Sequence, residues 1–151
     1  MDGLPSKLDI AIAHTEQFVV GLAAANAHVG VDVEHLGRDL SKEFASGVFT
    51  PEEMDLAAGS SNSSQALLKF WCAKEAVSKA LGTGIRYSPK ELVVGSCDPD
   101  AVRMTVRTEG AWGEAFRGLK GRDLPVTART MHDHARAFCF LPSTLFSEEK
   151  G

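Results

Sequence analysis

The chain carries no surplus of positive charge, no paired-cysteine framework and no long hydrophobic run, and each absence removes a class of protein. Its 16 Lys and Arg against 20 Asp and Glu leave a net charge of -4. No global field draws it to nucleic acid or to an anionic membrane, so an anionic partner must meet a local basic patch. Cys72, Cys97 and Cys139 are an odd number without C-x-x-C spacing or a tight Cys/His cluster. They read as free thiols in a reducing compartment rather than as a disulfide scaffold or a zinc site. No apolar segment approaches the eighteen or so residues of a membrane span, and the first seven residues lack a basic stretch leading into an apolar one. These features predict a cytoplasmic protein. Low-complexity tracts and solenoid periods are absent as well. What remains is 151 residues, 44% hydrophobic and 24% charged, the size and balance of one globular domain spanning 1–151.

Two short apolar runs, 8–13 and 18–25, flank the polar His14-Thr15-Glu16-Gln17 and predict a β-hairpin. Val29-Gly30-Val31-Asp32-Val33-Glu34 follows as a strand, with the valines on one face and Gly30, Asp32 and Glu34 on the other. Thr50-Pro51-Glu52-Glu53 has the composition of a helix start, for a short helix reaching Ala58. A serine-rich loop at 59–64 leads to the longest helix, 65–81, whose apolar residues recur at helical spacing until Gly82 stops it. Extended runs follow at 91–94, 101–107, 126–131 and 135–141, while 111–119 fits a short helix or an irregular loop. Fraying is expected over 147–151. The predicted class is α+β, a mainly antiparallel sheet packed against a long helix and shorter helices.

The chemistry lies on that strand and that long helix. Asp32 and Glu34, two apart on a strand, set their carboxylates side by side with about 7 Å between Cα atoms, an incomplete shell for a hard cation. The same D-x-E is also simply a solvated strand face. On the helix, Glu75 and Lys79 are four apart and share a face, with Lys74 at its edge. As a surface ion pair they contribute only about 0.3–0.5 kcal/mol. As a site, Glu75 is a third metal ligand or a base for an incoming hydroxyl, and Lys79 neutralises charge on a departing phosphate. Trp71 reads as a core anchor and Cys72 as a small buried hydrophobe. His132-Asp133-His134 invites a zinc reading, but without a further ligand nearby it reads as a polar turn.

Gly30-Val31-Asp32-Val33-Glu34, then Phe49-Thr50-Pro51-Glu52-Glu53, then Trp71-Cys72-Ala73-Lys74-Glu75-Ala76-Val77-Ser78-Lys79, taken in order, resemble the 4'-phosphopantetheinyl transferases. Ile12-Ala13-His14-Thr15 is similar to the I-S-H-[ST] segment of the two-lobed members, with Ala13 in place of serine. Lys79-Ala80-Leu81-Gly82-Thr83-Gly84-Ile85 is closer to the small holo-acyl-carrier-protein synthases. The resemblance implies transfer of the phosphopantetheine arm of coenzyme A to a serine of an acyl or peptidyl carrier protein, with release of adenosine 3',5'-bisphosphate. It implies that Asp32, Glu34 and Glu75 hold Mg2+, with Mn2+ as an alternative. It further implies that Glu75 helps deprotonate the serine, that Lys79 assists the leaving phosphate, and that His14, Lys74 and Lys79 contact coenzyme A. Arg38, placed six residues after Asp32, resembles a carrier-contacting arginine, and Lys42 could complete a basic patch with it.

The two-lobed members have a half preceding the I-S-H-S segment, whereas nine residues precede Ile10 here. The expectation is therefore a homo-oligomer with shared sites, or a domain of a larger synthase. Other readings are a metal-dependent phosphohydrolase or nuclease and a non-catalytic carrier-docking module. The D…E-x-K nucleases place their last pair on a strand, while Lys74-Glu75 falls on the most helical stretch of this chain.

Overall fold

The computed structural model describes residues 7–150, without the side chains of 147–150. The first residues, expected to carry no basic stretch leading into an apolar one, and the tail expected to fray lie wholly or partly outside the described residues. A hairpin, β1 (Leu8–His14) and β2 (Val19–Ala25), leads into β3 (Ala27–His35). Three helices follow: α1 (Lys42–Val48), α2 (Pro51–Ala58) and α3 (Ser63–Ala80). After β4 (Leu92–Cys97) and β5 (Arg103–Thr108) come α4 (Gly110–Ala115), β6 (Leu124–Met131) and β7 (His134–Pro142), then a 3-10 turn over Ser143–Lys150. The hairpin forms its own two-stranded sheet, and the other five strands form an antiparallel sheet in the order β3-β7-β6-β5-β4. No helix among the described residues is long and apolar enough to cross a membrane.

Local sequence accounts for the helix starts. Thr50 Oγ1 accepts the Glu53 N–H (3.2 Å) and the Glu53 carboxylate accepts the Thr50 N–H (2.8 Å), a capping box behind Pro51. α3 begins inside the segment expected to be loop, because Asn62 Oδ1 accepts the Gln65 N–H at 3.1 Å and caps the helix. At its other end Leu81 is the cap and Gly82 turns the chain with φ 81°. α1, where no helix was expected, is held at its start by Ser41 Oγ, which accepts the Phe44 N–H. The ambiguous 111–119 stretch resolves into α4 and a 3-10 turn at Arg117–Leu119.

Tertiary placement follows from the two faces of β3. Val29, Val31 and Val33 pack against Ala11 and Ala13 of β1 and Val20, Leu22 and Ala24 of β2. On the opposite face lies α3, and there the strand has no room for a side chain at position 30. A Cβ on Gly30 would stand 1.7 Å from the Ala76 carbonyl oxygen. The main core, with Phe70, Val77, Leu92, Val106, Trp112 and Leu124 almost wholly buried, fills the space between α3 and the rest of the sheet. Each such side chain contributes about 1.5–3 kcal/mol.

One ion pair is sealed into this core. Lys74 Nζ donates to Glu53 Oε2 (2.8 Å) and to the carbonyls of Val48 (2.7 Å) and Pro89 (3.0 Å), and both side chains are fully buried. The other Glu53 oxygen accepts the Val94 N–H at 2.7 Å. The pair therefore joins α2, α3, the end of α1 and the start of β4. Burial pushes the Lys74 ammonium below its usual pKa, and Glu53 opposes that shift. Lys74→Met should cost about 3–5 kcal/mol in equilibrium urea unfolding because it strands the Glu53 carboxylate, and adding Glu53→Gln should recover part of the loss. A cost below about 1 kcal/mol for Lys74→Met would contradict this role.

Candidate active site

Gly30 lets β3 lie against the C-terminal half of α3, and two residues further on the strand delivers Asp32 to the same helix face. Lys79, in the last turn of α3, donates to Asp32 Oδ1 (3.2 Å) and to the Val31 carbonyl (3.0 Å). Asp32 is 8% exposed, its Oδ2 is buried without a nitrogen or oxygen partner among the described residues, and the Cys72 thiol beside it favours the charged form. Burial is the largest influence on its carboxyl and carries the pKa up to about 6, with Lys79 opposing and the Glu34 charge reinforcing the rise. Glu75, one turn before Lys79, is also raised, first by burial and then by the charge of Asp32. The two acids are thus close enough to disfavour each other's ionisation.

Glu34 stands at the rim. Its Oε1 accepts from the Arg38 guanidinium (2.5 Å) and from Trp71 Nε1 (3.3 Å). Arg38 in turn lies over the rings of Phe44 (5.1 Å) and Trp71 (5.9 Å), so two aromatics and an arginine orient one carboxylate. Trp71, expected only as a core anchor, therefore also positions Glu34, a role for which the sequence offered no signal beyond its helical spacing. Cys72 is inert as a nucleophile: burial and the Asp32 and Glu34 charges drive its thiol pKa well above the ordinary value.

Lys74 stands apart from this group. Its three N–H bonds are all spent on Val48, Glu53 and Pro89, so the contact with coenzyme A phosphate expected for it does not fit its place in the core. His14 sits exposed at the end of β1, opposite Val19, and the structure does not bring it against the acids. Its neighbour Thr15 reaches His134 Nε2 at 3.0 Å, which ties the hairpin bend to the start of β7. The His132-Asp133-His134 segment forms the β6–β7 turn, with His132 at φ 52°. Arg38 and Lys42 are both exposed on the α1 side of the site.

Beside Lys79 opens a cleft of about 340 Å3 lined by Asp9, Ile10, Ile12, Val29, Gly82 and Gly84 among others. β1 makes one wall and the glycine turn after α3 the other. Asp9 fastens that wall, its Oδ2 accepting the Val29 N–H at 2.8 Å. A lone aspartate within an apolar strand was the available sign of this bond. Its partner is twenty residues away and legible only in the fold.

A hard cation fits this donor set. Asp32 Oδ2 lacks a nitrogen or oxygen partner among the described residues, and the charge of Asp32 raises Glu75 while that of Glu34 raises both. Among the described residues no three His, Cys, Asp or Glu side chains form a ready-made cage. Such an incomplete set would leave a hard cation such as Mg2+ room for water and substrate oxygens. Acids and a lysine beside an open cleft are groups that phosphoryl chemistry would use.

Comparison with known proteins gives the family. The model of the 4'-phosphopantetheinyl transferase superfamily matches residues 28–139. The holo-[acyl-carrier-protein] synthase of Clostridium perfringens is 39% identical over 72 residues, which are 44% of this chain and 54% of that protein. The chain thus spans about half the length of the first such relatives it matches. A longer match, 30% over 121 residues, covers 75% of this chain and 88% of the holo-[acyl-carrier-protein] synthase of Cereibacter sphaeroides. Among solved structures, the Chronobacterium ammoniagenes ACPS-CoA complex superposes with a TM-score of 0.54 at 25% identity, over 77% of this chain and 96% of that one. The chain belongs to the 4'-phosphopantetheinyl transferase superfamily. Hairpin β1–β2 lies outside the residues that the family model matches.

The raised Asp32 pKa has a consequence for stability. Between the unfolded value of 3.8 and the folded value of about 6, the folded state binds the proton more tightly than the unfolded chain does. Stability therefore falls as pH rises through that window. Asp32→Asn, a neutral isostere, should stabilise the metal-free protein at pH 7.5 by about 1–3 kcal/mol and flatten the loss between pH 4 and 6. Urea midpoints at pH 4.5 and 7.5 measure this, and a less stable variant at pH 7.5 would contradict it.

Proposed function

We propose that the protein transfers the 4'-phosphopantetheine arm of coenzyme A to a serine of an acyl or peptidyl carrier protein, releasing adenosine 3',5'-bisphosphate. The observation that carries the reading is the meeting of Asp32 and Lys79, with Glu75 one turn away, beside a cleft open to solvent. In this reading Asp32, Glu34 and Glu75 hold Mg2+ or Mn2+, which when bound neutralises the pyrophosphate oxygens. Glu75 takes the serine proton directly or through water. The serine oxygen bonds to the phosphorus that bears pantetheine as the bond to the bridging pyrophosphate oxygen breaks. Lys79, turning from Asp32, meets the charge on the departing phosphate.

The carrier docks on the α1 side in this reading. Lys42 and Lys90 flank an apolar cleft of about 350 Å3 floored by Ala45, Phe49, Pro51 and Met54, and Arg38 stands nearby. Cations around an apolar groove suit an acidic amphipathic helix. The hairpin carries further exposed apolar surface: Leu8, Ile10, Ile12 and Val19 are 59–75% exposed. We assign it to a second copy of the chain, as the homo-oligomer expectation requires, and place the protein in the cytoplasm, where its three free thiols stay reduced. A non-catalytic carrier-docking module is the second reading, since the apolar cleft flanked by Lys42 and Lys90 would serve docking without any chemistry.

Mass spectrometry of a panel of apo carrier proteins incubated with the chain, coenzyme A and Mg2+ separates these readings. A gain of about 340 Da on a carrier is expected, lowered at least about a thousandfold in rate by Glu75→Gln. Carrier binding without a mass gain would select the docking module. A strict monomer in sizing experiments that transfers at full rate would remove the oligomer.

A further inference from the structure

We propose that Arg38 is the cation resident on Glu34 in the metal-free chain, that a divalent ion must displace it, and that an acidic carrier drawing Arg38 away thereby strengthens metal binding. The inference rests on the reading of Asp32, Glu34 and Glu75 as ligands of that ion. It adds a coupling between carrier docking and metal loading, with one arginine as the shared part.

Glu34 is already taken. Its Oε1 accepts from the Arg38 guanidinium at 2.5 Å and from the Trp71 indole N–H at 3.3 Å. A divalent ion on that oxygen would face the guanidinium charge across a single atom, and like charges so close repel strongly wherever water is thinned. The charge of Arg38 also reaches inward, where it opposes the rise of the Glu75 carboxyl. Glu34 is the one ion pair Arg38 makes among the described residues. Arginine and metal are therefore alternatives for the same negative charge.

The side chain of Arg38 is free to leave while its backbone stays. It follows the turn after β3, where its N–H is bonded to the His35 carbonyl at 3.0 Å, and the side chain is 36% exposed. The rings of Phe44 and Trp71 beneath the guanidinium give it a resting place that does not need Glu34. Phe44 belongs to α1, the helix that also carries Lys42 and Ala45 of the apolar cleft. A partner seated on that cleft stands on the helix against which Arg38 leans. A guanidinium has five N–H donors in a planar fork, so a carboxylate of the partner can hold it with two parallel bonds and release Glu34. The coupling is reciprocal, and a loaded metal strengthens docking by the same factor.

Titration of Mn2+ into the metal-free chain, followed by electron paramagnetic resonance, tests the proposal. Arg38→Gln should bind Mn2+ at least about fivefold more tightly than the wild type, and adding Glu34→Gln should erase that gain. Lys42→Gln removes the same charge from the neighbouring helix without a bond to Glu34, and should change the affinity by less than about twofold. An acidic apo carrier with a Ser→Ala change at its acceptor, corrected for the Mn2+ it binds alone, should tighten Mn2+ binding in the wild type and leave Arg38→Gln unmoved. No gain in Arg38→Gln, a gain that persists beside Glu34→Gln, or a carrier effect that is absent from the wild type or survives in Arg38→Gln would overturn the coupling. Mn2+ binding indifferent to Asp32→Asn would instead remove the reading of the site on which the coupling rests.

Discussion

Everything at the site depends on how closely β3 approaches α3. At Gly30 the strand backbone lies against the carbonyl of Ala76, in space that any side chain would fill. This contact fixes the height of the strand on the helix and hence the reach between Asp32 and Lys79, since both residues are held by regular backbone within two or three positions of it. A methyl group at position 30 could be admitted only by moving the strand outward, and overpacking of that kind typically costs about 1–3 kcal/mol before any effect on chemistry. The hairpin braces the strand from the other side, with Ala11 and Ala13 against Val31 and Val33 and Asp9 bonded to the Val29 N–H. Strand β3 is thus clamped between a helix and a hairpin, and its acids have little freedom to retreat from one another.

That rigidity explains the electrostatics. A folded chain could relieve the repulsion among Asp32, Glu34 and Glu75 by letting them turn to solvent, but Asp32 is buried and Glu34 is held by Arg38 and Trp71. The unfavourable ionisation is therefore retained in the fold, at a cost in stability that a purely structural site would not bear. The Lys74–Glu53 pair, a few residues away on the same helix, shows the contrast. There every donor and acceptor on Lys74 and Glu53 is matched and solvent is excluded. One charged cluster is satisfied and holds the scaffold, and the other is left short of positive charge and opens on a cleft.

Much of this was legible in the sequence because it rested on short-range rules. The period of two along residues 29–34 separated the valine face from the Gly30-Asp32-Glu34 face, and the capping residues at Thr50 and Gly82 set helix ends that hold in the fold. The i,i+4 spacing placed Glu75 and Lys79 together. What was hidden depended on long-range partners. Lys74 adjoins Glu75 in sequence, but the 100° turn between helix neighbours sends it into the core, where Glu53 waits on a different helix. The role of Trp71 in orienting Glu34 and the wall that β1 gives the cleft required the tertiary arrangement. His14 stands exposed at the end of β1, and the contact with coenzyme A expected for it depends on where that molecule lies.

The central claim is that Asp32 and its neighbours form a partial shell that a cation completes only with oxygens brought by coenzyme A. Titration of Mn2+ followed by electron paramagnetic resonance, with and without coenzyme A, measures this directly in the wild type and in Asp32→Asn. Weak Mn2+ binding that coenzyme A tightens at least about tenfold in the wild type, with the gain absent in Asp32→Asn, is the predicted result. Mn2+ binding that ignores coenzyme A, or that survives unchanged in Asp32→Asn, would contradict the account.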